Sequence, residues 1–308
     1  MDVRQLNTLV AIADHGTFSA AARALFTVQS NVSGHIARLE KELGVTLVDR
    51  VNGGLTDEGV QVVERARRVL NEIDDIAADM ASRHEGVSGH TRLGVIGTTA
   101  RWLIPQLLDR LKTEHPSVRA IIQDGATSTL VPNVVNGHLN AAIIHLPIDE
   151  PDLVIEPLFA EDLLLLAAEN HPLATDEEVP LTALDGVPLL LPPSGSALRR
   201  VLERAARTAD IALRPQAEVD GVRLLASLAL DGFGATIVPA TAVPGWLEGA
   251  FRRVSVVGLP RRVVAAVHPR RPRPSAPTAA TLASLRALID DTGDSQPGVY
   301  PGAGALTP

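Results

Sequence analysis

Apolar residues in the first fifty positions recur at helical spacing. Leu6, Leu9, Val10 and Ala13 share one face of a short helix from Arg4 to Ala13, which Gly16-Thr17 interrupts. Phe18-Ser19 then opens a very short alanine-rich helix, Ala20 to Leu25, with Ser19 as its expected N-cap. The small side chains there let a crossing helix approach closely. After a turn at Phe26-Thr27-Val28, the residues Val32, Ile36, Leu39 and Leu43 line one face of a helix from about Ser30 to Leu43, and Gly44 stands where a glycine cap is expected. Two helices joined by a tight turn, the second apolar on one side and polar on the other, form a helix-turn-helix pattern. Val45 to Val48 and Val51 to Thr56 flank Asn52-Gly53-Gly54, a turn signal that predicts a small two-stranded wing.

Further on, Val63, Ala66, Leu70, Ile73, Ala77 and Met80 follow one another in alternating steps of three and four, with Val62, Val69 and Ile76 as a second stripe beside them. A face this wide on a seven-residue repeat predicts a coiled-coil dimer helix rather than one packed only on its own chain. Gly86 to Gly89 reads as a hinge. Strand and helix patterns then alternate: Arg92–Ile96, Ala120–Asp124 and Ala141–His145 as strands around helices Arg101–Thr113 and Leu130–Asn136. A second run has strands Leu163–Ala168, Pro188–Leu191, Ala235–Val238 and Val263–His268, with helices Ala197–Ala209, Val222–Ala229 and Thr278–Ile289. Such alternation implies right-handed crossovers and a mainly parallel sheet, here in two lobes with a cleft between them. Thr292 to Pro308, rich in Gly and Pro, is expected to be a disordered tail.

Three stretches carry a family likeness: Phe18-Ser19-Ala20-Ala21-Ala22-Arg23-Ala24-Leu25, then Gln29-Ser30-Asn31-Val32-Ser33, then Ile36-Ala37-Arg38-Leu39-Glu40-Lys41-Glu42-Leu43-Gly44-Val45-Thr46-Leu47 with Arg50. Together with Leu55-Thr56-Asp57-Glu58-Gly59, they resemble the DNA-binding domain of LysR-type transcription regulators over about the first 60 residues. Beyond these the likeness is one of layout. It implies an α plus α/β multidomain protein: a winged helix-turn-helix over 1–58, a linker and dimerisation helix over 59–88, and a bilobed, periplasmic-binding-protein-like effector domain over 89–291. Lobe 1 is expected at about 89–161 and 266–291, lobe 2 at about 162–265, and the tail at 292–308. The implied function is sequence-specific DNA binding modulated by a small-molecule effector. The expected partners are double-stranded DNA, an effector of the organic-acid-anion class and further copies of the chain as dimer or tetramer, with RNA polymerase a further candidate.

Two positions depart from the family pattern. Val28 replaces the usual Ser cap of the recognition helix, a loss of roughly 1 kcal/mol, and Gly34 stands where a basic residue is common. Gln29, Ser30, Asn31, Ser33 and His35 are polar and off the apolar face, so they can reach base edges; Asn and Gln suit adenine. Arg23, Arg38 and Arg50 are the expected phosphate contacts. Residues 1–58 hold only five basic side chains (Arg4, Arg23, Arg38, Lys41, Arg50) against seven acidic ones. Tight binding therefore calls for two or four subunits on a dyad sequence.

In the second domain, Gly97-Thr98-Thr99 and Ser194-Gly195-Ser196 each lie between a strand and a helix, where hydroxyls and free N–H groups can cradle a carboxylate. The candidate effector residues are Thr98, Thr99, Ser128, Ser194 and Ser196, with His145 at a strand end and Val222 at a helix start. For Ser196 the competing role is ordinary N-capping, and for His145 that of a structural histidine.

Composition adds limits. The net charge of −8 argues against nonspecific coating of nucleic acid, though it leaves room for a local reading surface. The 308 residues contain no cysteine, which removes disulfides, thiolate metal sites and a thiol nucleophile and fits a reducing cytoplasm, the expected location. No apolar run is long enough for a membrane span, and the N-terminus does not read as a secretion signal. The nine histidines lack metal-ligand spacing, and no P-loop, dinucleotide fingerprint, HExxH or Gly-x-Ser-x-Gly occurs. Neither catalysis nor a cofactor is expected.

Overall fold

The computed structural model describes residues 1–49 and 54–302. Helix α1 (Val3–His15) starts from a capping box, Asp2 accepting from the Gln5 N–H at 2.9 Å and Gln5 accepting from the Asp2 N–H at 2.8 Å. Helix α2 (Phe18–Ala24) begins two residues earlier than its sequence pattern suggests, because Thr17 and not Ser19 is the cap: Thr17 Oγ1 accepts from the Ala20 N–H at 3.1 Å. Helix α3 (Gln29–Leu43) has no side-chain cap at Val28 and closes at Gly44, φ 72°. Its Val32, Ile36 and Leu39 are buried with Leu9, Ile12, Ala21 and Ala22, each large side chain contributing about 1.5–3 kcal/mol. Of the expected wing, the described part is one bridge between Val48 and Leu55, with the Asp49 N–H donating to Gly54 O at 3.0 Å. Arg50, Val51, Asn52 and Gly53 lie outside the described residues.

Helix α4 (Asp57–Glu85) is capped by Thr56, whose Oγ1 accepts from the Gly59 N–H at 3.0 Å. Gly59 is required there, since a Cβ would fall 2.0 Å from the Leu47 carbonyl oxygen. The expected dimer seam is corrected at its start. Val63 and Ala66 are buried, with Val63 in the core of the helix-turn-helix domain, because the first turns of α4 cover α1. Leu70 is half-buried. The exposed apolar stripe is instead Val69, Ile73, Ile76 and Met80, with Ala77 exposed beside it. It keeps the seven-residue repeat on a rotated face.

Lobe 1 contains β1 (Gly89–Ile96), α5 (Gly97–Glu114), β2 (Val118–Gly125), α6 (Thr127–Val135), β3 (Ala141–His145) and β4 (Leu153–Glu161). The chain then enters lobe 2 through β5 (Leu163–Ala168), β6 (Glu178–Pro180), β7 (Pro188–Leu191), α7 (Ala197–Thr208), β8 (Arg214–Glu218), α8 (Val222–Leu230), β9 (Ala235–Pro239) and β10 (Phe251–Val257). It returns by β11 (Arg262–Pro269), α9 (Ala276–Thr292) and β12 (Val299–Pro301). The two sheets have the orders β12-β4-β11-β3-β1-β2 and β6-β10-β5-β9-β7-β8.

Three expectations change here. The sheets are mixed rather than mainly parallel: β11 runs against β3 and β4, and β5 against β9 and β10, because these strands lie next to the two crossings between lobes. The return to lobe 1 comes at Arg262, four residues before the expected boundary at 266. The described part of the supposed tail, 292–302, is not loose: it carries β12, paired antiparallel to β4. Gln296 is buried there, accepting from the Gly245 N–H at 2.8 Å and donating to the carbonyls of Ala240 and Val243 at 3.2 Å each. Among the described residues no helix is long and apolar enough to cross a membrane.

Replacing Gln296 with Ala strips these three bonds; Ala240 O keeps the Val243 N–H, but the buried Val243 carbonyl loses the bond from Gln296. Thermal denaturation is expected to show a loss of about 1–3 kcal/mol. A melting temperature equal to the parent's would mean that the segment after α9 is dispensable.

Candidate functional site

Two surfaces gather the candidate residues. On the first, Gln29, Ser30 and Asn31 are exposed at the start of α3, Ser33 and His35 are half-buried one turn on, and Arg23 and Arg38 are exposed. The amides are already oriented. Ser19 Oγ donates to Gln29 Oε1 at 2.8 Å, and Asn31 Nδ2 donates to Thr27 Oγ1 at 3.0 Å. A bidentate adenine contact needs both ends of one amide, so each local bond must yield, and such bonds contribute only about 0.5–1.5 kcal/mol net. Arg38 lies along the helix, its Nε donating to Gly34 O at 3.1 Å and its Nη2 standing 3.2 Å from His35 Nδ1. Arg50 is outside the described residues.

The second surface is the cleft between lobes. Thr98 Oγ1, at the start of α5, accepts from Arg262 Nη2 at 2.9 Å. Thr99 is fully buried and its hydroxyl has no partner among the described residues. His145 closes β3, its N–H donating to Thr127 Oγ1 at 3.3 Å beside exposed Ser128. Burial, and then the Arg262 charge, hold the His145 imidazole below the ordinary histidine range.

The residues chosen from lobe 2 fare differently. Ser196 is the N-cap of α7, accepting from the Arg199 N–H at 3.3 Å, so its hydroxyl is spent on the helix. Ser194 is exposed, with its N–H 3.5 Å from Glu218 Oε2. Val222 packs into an apolar cluster of lobe 2, and it is its neighbour Arg223 that reaches across the cleft to pair with Asp124 of lobe 1. Gly97 passes directly beneath that pair: a Cβ there would meet Asp124 Oδ1 at 2.8 Å and Arg223 Nε at 2.9 Å. Arg101 of α5 also stacks over Trp246 of lobe 2, 5.7 Å from the ring centre.

The centre of this region has no local signature in the sequence. Glu161 and Arg262, register partners on β4 and β11, form a salt bridge with Arg262 Nε and Nη2 donating to Glu161 Oε1 at 2.8 and 2.5 Å. Glu161 is completely buried, and its other oxygen accepts from the Thr241 N–H and Oγ1 at 2.9 and 2.8 Å. Two residues 101 positions apart give no local pattern that would have singled them out. Arg262 and Arg223 both stand near the start of α5, whose first N–H groups have no side-chain cap, Arg262 held by buried Glu161 and Arg223 by the exposed Asp124, which a bound carboxylate can replace. That combination suits an anion.

The two surfaces are mechanically joined. Arg67 of α4 pairs with Asp14 of α1. Asn71 bonds to Gly137 O and accepts from Arg92 Nη1 at 3.2 Å, and Asp79 accepts from the Ala276 N–H at the start of α9 at 2.7 Å.

Comparison with known proteins gives matches along nearly the whole chain. Residues 3–60 match the model described as bacterial regulatory helix-turn-helix protein, lysR family, and residues 84–290 match the LysR substrate binding domain. The chain is 31% identical over 273 residues to the DNA-binding transcriptional dual regulator OxyR of Escherichia coli K12, covering 87% of this chain and 89% of that one. It is 32% identical over 247 residues to the hydrogen peroxide-inducible genes activator of Dickeya chrysanthemi, covering 79% and 81%. Among solved structures, a full-length OxyR variant from Pseudomonas aeruginosa superposes with a TM-score of 0.72 at 25% identity over 94% of both chains. Full-length CbnR in complex with its target DNA superposes at 0.69, with 23% identity over 95% and 100%, a likeness of fold.

Two measurements test the cleft. Glu161→Ala leaves Arg262 without its buried partner, and urea denaturation is expected to show a loss of about 3–5 kcal/mol. For His145, a folded pKa below the unfolded value means its stability contribution is complete above about pH 6.5 and is lost as pH falls through the folded value. His138 and His171 are shifted the same way by burial. Stability is expected to fall as the solution is acidified below about pH 6.5, and His145→Gln to fall less steeply; equal slopes would clear His145 of that role.

Proposed function

Because this chain belongs to the LysR family of bacterial transcription regulators, we propose that it works as a homodimer in which a small anion bound between the lobes sets how two copies of α3 meet DNA. The family places it among DNA-binding regulators with an effector-binding domain, not among enzymes. The finer reading is supported by the continuity of α4. Its first turns complete the core of the DNA-reading domain, its middle carries the exposed stripe Val69, Ile73, Ile76 and Met80, and its flank is bonded to lobe 1 through Asn71 and Asp79. A change in the cleft moves lobe 1, and lobe 1 carries α4 with it.

The anion class is supported by Arg223, whose pair with Asp124 faces solvent, by Arg262 and by the start of α5, which no side chain caps, with Thr98, Thr99 and His145 beside it. Several relatives are named as hydrogen peroxide-inducible gene activators. This chain contains no cysteine and so has no thiol to oxidise, which favours a signal that is bound rather than one recorded in a covalent bond. On the DNA side, Gln29, Ser30, Asn31, Ser33 and His35 are assigned to base edges and Arg23 and Arg38 to phosphates.

Fluorescence anisotropy with the duplex upstream of the chain's own gene, against a scrambled duplex at fixed salt, tests the DNA reading. Discrimination of about 10³ or more is expected; equal, weak binding to both contradicts it. Ile76→Asp puts a charge in the centre of the exposed stripe. Sedimentation is expected to show monomer, with DNA affinity reduced at least about tenfold by loss of the second half-site. A variant that remains dimeric would refute the seam.

A further inference from the structure

The turn leading into α3 carries an aromatic ring that the fold does not use. Phe26 is 98% exposed, and its backbone sits at φ 51°, in the left-handed region where Gly and Asn are at ease and a bulky side chain is strained. Backbone bonds, not the ring, hold this turn: the Phe26 N–H donates to Arg23 O at 3.1 Å and the Thr27 N–H to Ala22 O at 2.9 Å. Val28, where a capping hydroxyl would stabilise α3, is 60% exposed and caps nothing. Two costs are thus incurred side by side, a bulky aromatic in a left-handed backbone and a helix start with no side-chain cap; backbone bonds, including the Asn31 N–H to Val28 O at 3.0 Å, hold the turn, but the exposed Phe26 ring itself contributes nothing to it. A strained residue whose large apolar ring is left in solvent points to a partner outside the chain.

The position of these residues identifies that partner. Exposure continues from Phe26 and Val28 straight into Gln29, Ser30 and Asn31, the end of α3 assigned to base edges. The apolar pair therefore extends the DNA-reading surface. The major groove displays one apolar group, the C5-methyl of thymine, and Phe is among the side chains that contact it. We propose that Phe26, supported by Val28, packs on a thymine methyl beside the base pairs read by Gln29 and Ser30, making this turn a specificity determinant. The proposal rests on α3 being the groove-reading helix. It also accounts for a valine at the cap: the hydroxyl is given up for a second apolar contact.

The test uses the full chain to select duplexes from a random pool, then replaces each thymine of the selected site in turn with deoxyuridine, which lacks only the methyl. The parent is expected to lose about fivefold in affinity at one thymine per half-site. Phe26→Asn, which suits the left-handed backbone, is expected to bind the unsubstituted duplex about fivefold more weakly, with no further loss from deoxyuridine at that position. Its melting temperature is expected at or above the parent's; a fall would show that the fold does use the ring, and would overturn the premise. A deoxyuridine profile unchanged in Phe26→Asn, or an equal loss on every duplex whatever its sequence, overturns the proposal while leaving α3 as the reader. If the parent enriches no duplex, the assignment of α3 fails and this inference fails with it.

Discussion

The buried ion pair between Glu161 and Arg262 fixes the geometry on which the rest of this protein depends. The chain passes between lobes twice, leaving β4 at Glu161 and re-entering at Arg262, and these residues are adjacent in the sheet. A carboxylate with no solvent exposure is tolerable only with both oxygens satisfied, and here Arg262 holds one and Thr241 of lobe 2 the other. Because Arg262 also donates to Thr98, the same contact reaches the start of α5, where the cleft is most suited to an anion. Pairs of this type add little net stability; this one ties the end of β4 to the start of β11 and to Thr241 of lobe 2. Around it lies a second set of contacts, in which Tyr300 donates to Asp162 at 2.7 Å and Arg261 stacks on the Tyr300 ring at 3.7 Å while pairing with Asp162. The short C-terminal strand β12 is thereby a strap across the crossing.

This arrangement explains how a modest ligand could be felt at a distance. Arg223 and Asp124 bridge the lobes directly, with Arg223 largely exposed, so a competing carboxylate would displace a weak solvent-facing pair rather than the buried one. The lobes can then adjust around a fixed hinge. Lobe 1 in turn is tied to α4 at Asn71 and Asp79, and α4 to α1 through Arg67 and Asp14, so each joint along the route is a named bond. Such coupling requires the ligand to prefer one arrangement of these contacts, since equal affinity for both shifts nothing.

Much of the fold was legible because it rests on local periodicity. The three helices of the first domain, the long linker and the strands Ala141–His145, Leu163–Ala168 and Pro188–Leu191 all follow from spacing over a few residues. Strands without such spacing were not. Arg214–Glu218 is exposed throughout, Leu153–Glu161 carries Glu156 and Pro157 in its middle, and Val299–Pro301 is three residues in a stretch whose composition resembles a tail. Linker stripes were harder still, because Val63 and Ala66 fit a dimer seam as well as they fit the core they belong to. In the cleft, the places of Thr98 and His145 at element ends are legible from the local pattern. Arg262, Glu161 and Thr241 leave no local pattern, because only the folded chain brings them together.

The central claim is that occupancy of the cleft alters DNA binding, and the most direct measurement is a paired one on the full chain. Small carboxylates are screened for those that raise its melting temperature, and the DNA affinity of the same sample is then measured with and without the stabilising compound. The account predicts a change in affinity of about 5- to 150-fold, matching a coupling of about 1–3 kcal/mol between sites, and its loss when Arg223 is replaced by Ala. A compound that stabilises the effector domain through the cleft yet leaves DNA affinity untouched would contradict it.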